Sequence, residues 1–168
     1  MNAYRSSGFT LTEMMISLAI LGILFAGAFP SYGAWMQSGQ IRTAAESLEA
    51  GLQLARSEAV SRNARVSSTL SGNDWSVDTV SPVQNIQSRK GAEGTSNVAI
   101  NSPQSTVTFN GMGRIVPPTN VTFSVSNPAG GTCQAAGGQM RCLNVSVQVG
   151  GAIRLCDPAL PSSNPQAC

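Results

Sequence analysis

The sequence predicts an α+β fold, in which one long N-terminal helix lies against an antiparallel β-sheet domain. Three observations carry this. Residues 9–29 form a nearly unbroken apolar run, FTLTEMMISLAILGILFAGAF. Apolar residues between Ile41 and Ala59 then recur every three or four positions. Beyond Asn63, short β-type runs follow one another with turn residues between them and no helical pattern. The part after residue 30 has the size of one ordinary domain. Composition narrows the function. Absence of histidine removes Ser-His-Asp and Cys-His catalysis together with the commonest metal ligand. No Gly-rich phosphate loop, paired acidic site or nucleophile elbow is present, so neither an enzyme nor a cofactor is expected. A formal charge of +2 is too small to mark a nucleic-acid or membrane-surface protein by bulk electrostatics.

The first element is the apolar run. At ~1.5 Å rise per residue, residues 9–29 reach about 31 Å, against a hydrocarbon core of roughly 30 Å. The run is too long for a signal-peptide core, and Phe29-Pro30-Ser31-Tyr32 offers no small-residue cleavage site. A transmembrane helix over residues 9–30 is therefore expected. Arg5 precedes it and no Lys or Arg follows before Arg42, which places the N-terminus in the cytoplasm and the rest outside it. Glu13 lies inside the run, where a carboxylate costs up to ~3 kcal/mol if central. It either snorkels to the interface or finds a cationic partner on assembly.

Gly8-Phe9-Thr10-Leu11-Thr12-Glu13, behind a short polar leader with a basic residue and ahead of an apolar helix, resembles the class III signal of type IV prepilins and type II secretion pseudopilins. The resemblance implies that residues 1–8 are a leader. A prepilin peptidase would cut after Gly8 and methylate the new N-terminus at Phe9. It also implies that Glu13 pairs with the N-terminal amine of a neighbouring subunit and so fixes axial register. That role is physically sound, because two buried opposite charges offset each other's desolvation only when both are present.

Pro30 ends the lipid-spanning part or kinks it. Ile41, Ala45, Leu48, Leu52, Ala55 and Ala59 then form one apolar stripe, with Arg42, Glu46, Glu49, Gln53 and Glu58 on the other positions, and the helix runs to about Arg62. The text Leu54-Ala55-Arg56-Ser57-Glu58-Ala59-Val60 resembles the helix end of the GspH/FimT family of minor pilins and pseudopilins. Strands are predicted at 65–70, 75–80, 98–100, 106–109, 121–125, 143–149 and 152–155, with Pro82–Ser96 as a variable loop. Trp75 and Thr108-Phe109-x-x-x-Gly113-Arg114 leading into Pro117-Pro118 also resemble that family, whose pilin fold is the expected architecture.

Cys133, Cys142, Cys156 and Cys168 fall in the last quarter, on the oxidising side of the membrane. Three connectivities are open. Local pairing, Cys133–Cys142 and Cys156–Cys168, closes a Gly-rich hairpin and clips the tail to the last strand, at roughly 3 kcal/mol for each short loop. A zinc site is the weaker alternative, with no C-x-x-C pair and no histidine.

Some members of the FimT branch are DNA receptors through a C-terminal Gly-Arg-x-Arg element. The matching place is Gly151-Ala152-Ile153-Arg154, where only the glycine and the second arginine match. Arg141 and Arg114 are the other candidates for a DNA-binding patch, and no interleaved aromatics support base stacking. The expected function is structural: a minor type IV pilin that primes assembly and sits at or near the pilus tip. A type II secretion pseudopilin and a DNA-uptake receptor are the alternatives. Expected partners are other minor and major pilins, the prepilin peptidase and the inner membrane before assembly, with DNA as a lesser candidate.

Overall fold

The long helix is α1, Leu11–Arg62, in a computed structural model that describes residues 9–168 apart from the side chains of residues 27–32 and 34. The predicted leader and Gly8 lie outside the described residues, as does the side chain of Pro30. α1 continues through the position of Pro30. A proline removes one i→i−4 hydrogen bond, and the turns on either side keep theirs.

The chain divides into two compact units, one reaching to Trp35 and the other Met36–Cys168. In the first, Leu11, Met14, Met15, Ile16, Leu18, Ile20, Leu21, Ile23, Leu24 and Phe25 are all more than half exposed. This is a helix with apolar side chains on every face, which needs an apolar surrounding. Among the described residues no helix is long and apolar enough to cross a membrane; the described side chains of this run stop at Ala26.

In the second unit the predicted stripe is the core face of α1. Ile41, Ala45, Leu52, Ala55 and Ala59 are fully buried, and Leu48 nearly so. The opposite face carries the i,i+4 pairs Arg42–Glu46 and Glu58–Arg62 at 2.7 and 2.6 Å. Such exposed pairs are each worth less than about 0.5 kcal/mol. The β-strands are β1 Val66–Ser71, β2 Asp74–Val80, β3 Val83–Arg89, β4 Ala99–Asn101, β5 Thr106–Phe109, β6 Val121–Ser126, β7 Leu143–Val147 and β8 Ile153–Cys156.

Two findings differ from expectation. The strands form two four-stranded antiparallel sheets rather than one, in the orders β3-β2-β1-β5 and β4-β6-β7-β8. The expected loop at 82–96 also contains a strand, β3, paired with β2. Its text VQNIQSR lacks alternation because β3 is an edge strand with both faces largely solvated. The pairing slips at Val77/Asp78, where Ile86 is the extra residue of a bulge.

One core joins the α1 stripe to both sheets. It contains Val66, Trp75 and Val77, then Val107 and Phe109, then Val121, Phe123, Val125, Val145 and Val147. Each fully buried Val, Leu, Ile or Phe contributes about 1.5–3 kcal/mol. Trp75 satisfies its indole by donating to Ser47 Oγ at 3.0 Å, and its ring lies against Gly51 of α1. Helix and first sheet are thereby locked in register. A cavity of about 10 Å³ beside Trp75, lined by Ala44, Ser47 and Thr95, has room for a single water.

Candidate functional site

Glu13 is the charged residue of the apolar run, and local chemistry decides where its carboxylate goes. Glu13 Oε2 accepts from the Thr10 backbone N–H at 2.9 Å and from the Thr10 hydroxyl at 2.8 Å. The Glu13 backbone N–H in turn faces Thr10 Oγ1 at 3.3 Å. This is a capping box, in which residues three apart satisfy each other's donors at the start of a helix. The Thr-Leu-Thr-Glu spacing carries that signal in the sequence. Phe9, the first described residue, is 81% exposed.

The C-terminal quarter is built around Asp157. The structure joins Cys133 to Cys142 and Cys156 to Cys168, with Cα separations of 5.5 and 5.0 Å. The second disulfide folds the tail back beside the end of β8. There the Asp157 N–H donates to the Gln166 carbonyl at 2.8 Å and the Cys168 N–H to the Asp157 carbonyl at 3.4 Å. The Asp157 side chain is 3% exposed; it accepts from Arg141 Nε at 2.7 Å and from the Ala159 N–H at 2.9 Å. Because Arg141 is next to Cys142, this ion pair ties the two disulfide-closed loops together.

The three arginines weighed for DNA are not equivalent. Arg154 donates to the tail carbonyls of Ala167, at 3.1 Å, and Pro165. It is an exposed strand residue used as a tail fastener, and Arg141 serves the same clasp from the other side. Arg114 belongs to a different place, the turn after β5, where its N–H and that of Met112 each donate to Asn110 Oδ1 at 3.0 Å. The glycine of the matched element has a local reason to be glycine. Gly151 has φ +83°, and a Cβ there would fall 1.8 Å from the Gly113 carbonyl oxygen. Nothing in the sequence marked Asp157, because a buried acid reads like any solvated one until its partner is placed.

Among the described residues no group of three or more His, Cys, Asp or Glu is arranged to hold a metal. The features assembled are a capped apolar helix, a stripe that seats it on a two-sheet domain, and a clasped tail, which are features of packing.

Comparisons with known proteins agree with this. The family model for the type II transport protein GspH matches residues 44–158, and that for the prokaryotic N-terminal methylation motif matches residues 4–29. No curated protein matches the chain. Two crystal structures of the type IV minor pilin FimU of Pseudomonas aeruginosa are similar. One is 27% identical with a TM-score of 0.56, covering 76% of this chain and 98% of the crystallised FimU chain. The other is 26% identical with a TM-score of 0.60, covering 80% and 98%. The minor pseudopilin EpsH from the type 2 secretion system of Vibrio cholerae shares the fold at 14% identity, with a TM-score of 0.56 over 72% of this chain and 99% of EpsH. With a capped apolar head that carries the methylation motif, and a family match over more than half of its length, the chain belongs to the GspH/FimT family of minor pilins and pseudopilins.

Proposed function

We propose that this chain is a minor type IV pilin, a structural subunit that primes pilus assembly and sits at or near the pilus tip. The observation that carries the reading is the likeness to FimU, at 26–27% identity over 98% of the crystallised FimU chains. The secretion alternative has less support, since EpsH at 14% identity shares only the fold. In the proposed cycle residues 1–8 are removed between Gly8 and Phe9 and Phe9 is methylated by the prepilin peptidase. Residues 9–30 hold the subunit in the inner membrane, N-terminus inside, with residues 31–168 outside the cytoplasm. The exposed apolar side chains of α1 then exchange lipid for the helices of neighbouring pilins, a transfer between two apolar surroundings that costs little hydrophobic energy. Glu13 pairs with a neighbour's N-terminal amine, its Thr10 contacts having kept the carboxylate hydrogen-bonded until then. The DNA-receptor alternative gains nothing from Arg141 and Arg154, both of which hold partners within the chain.

A deletion strain scored in parallel for piliation and for protein secretion tests the reading. Loss of surface pili with secretion intact is the expected result, and the reverse pattern assigns the chain to secretion. Intact mass of the membrane-extracted protein tests processing: the expected species lacks residues 1–8 and carries one added methyl group.

A further inference from the structure

One exposed surface has no task in the proposed cycle. The turn Asn110–Arg114 is folded onto the end of α1. A Cβ on Gly111 would touch Asn63, and one on Gly113 would lie 3.1 Å from both Arg56 Nε and Val60 Cγ2. The β7–β8 turn closes on the same spot, with a Gly151 Cβ 3.1 Å from Arg56 Nε and the Ile115 N–H donating to the Val149 carbonyl at 3.2 Å. Helix end, first sheet and second sheet therefore meet where two turns are kept bare by Gly111, Gly113 and Gly151. Around this junction Met112, Val60 and Val149 are 74%, 51% and 37% exposed. Apolar side chains grouped in this way mark contact surfaces more often than solvated ones.

The charges there are unbalanced. Arg56 and Arg114 are both exposed and, among the described residues, neither has an ion pair. The acid of this helix end, Glu58, is taken by Arg62 at 2.6 Å. A junction that carries exposed apolar side chains and two arginines without an ion pair is complementary to an apolar surface edged with carboxylates.

We propose that this junction, centred on Gly113 with Met112 and Arg114 on either side of it in sequence and Arg56 packed against it, is the contact surface for an acid-edged face on a neighbouring subunit of the same fibre. The partner's apolar residues cover Met112 and Val60, and its Asp or Glu side chains pair with the two arginines. This rests on the pilin reading and adds to it a lateral contact between globular domains.

The test places a photo-crosslinking amino acid at Met112 of the full chain, in cells that assemble the fibre. The expected product is a discrete adduct with another pilin subunit, mapped by mass spectrometry to a peptide carrying Asp or Glu. Arg56→Glu with Arg114→Glu should lower its yield about tenfold or more, while Arg56→Lys with Arg114→Lys retains most of it. Incorporation of each variant into sheared fibres, measured alongside, reports folding. A chain present in the fibre with no Met112 adduct overturns the surface and leaves the pilin reading standing. An adduct insensitive to charge reversal, or a nuclease-sensitive adduct with nucleic acid, also overturns the surface. Absence of the unmodified chain from the fibre overturns both.

Discussion

Gly51 sits in the interior of a 52-residue helix, where a glycine costs about 1 kcal/mol relative to alanine. At an exposed helical site Gly→Ala would therefore stabilise the protein. At Gly51 an added Cβ would stand 3.0–3.1 Å from three atoms of the Trp75 ring, closer than carbon atoms normally pack. The ring has little freedom to retreat, being 6% exposed and tethered through Nε1 to Ser47. Overpacking of this kind costs about 1–3 kcal/mol, so Gly51→Ala should be neutral to destabilising by about 2 kcal/mol. Removing the ring reverses the sign: in a Trp75→Leu background the same substitution should stabilise by about 1 kcal/mol. The coupling between the two sites is then about 1–3 kcal/mol. Urea unfolding of residues 36–168, followed by far-UV circular dichroism at a common m-value, measures all four proteins. If Gly51→Ala stabilises both backgrounds equally, glycine at this position has nothing to do with the tryptophan and the account of how helix and sheet are registered is wrong.

Three further predictions follow from named contacts. Arg141→Ala leaves the buried Asp157 carboxylate without its cation and should destabilise by about 1–3 kcal/mol, a value reduced because Arg141 itself is half exposed. Arg42→Ala, at an exposed pair, should change stability by less than about 0.5 kcal/mol, and equal effects in urea melts would contradict the burial argument. Replacing Cys156 and Cys168 by serine opens a loop with a sequence separation of 12 and should cost roughly 3 kcal/mol. Hydrogen exchange should then be faster at the Asp157 and Cys168 amides, and unchanged protection there would show that the tail holds without its disulfide. If Glu13 pairs with a neighbour's N-terminal amine as proposed, Glu13→Ala should lower incorporation into sheared pili about tenfold or more, because that buried amine would lose its partner. Thr10→Ala, which removes the side-chain half of the cap, should lower it much less; equal defects would assign Glu13 to helix capping alone.

Much of the fold was legible because it rests on periodicity. The stripe from Ile41 to Ala59 fixed which face of α1 is buried, and the alternation of Val121, Phe123 and Val125 did the same for β6. β3 was not legible, since an edge strand with two wet faces has no pattern and is held by pairing with β2 alone. The capping box at Thr10 was written in the spacing and went unread, because the same glutamate carried a louder signal as a charge in an apolar run.

By itself, then, the sequence determined the class of the protein: the apolar head, the amphipathic continuation and the succession of short strands each follow from local composition. Only the tertiary structure decided how the strands divide between two sheets, because alternation states which side of a strand is buried and not which strand lies beside it. It also chose among the three cysteine connectivities and gave Arg141 and Arg154 partners within the chain, Asp157 and the tail carbonyls. A guanidinium looks the same in sequence whether it faces solvent, a phosphate or a carbonyl thirteen residues further along, and only folding supplies the partner.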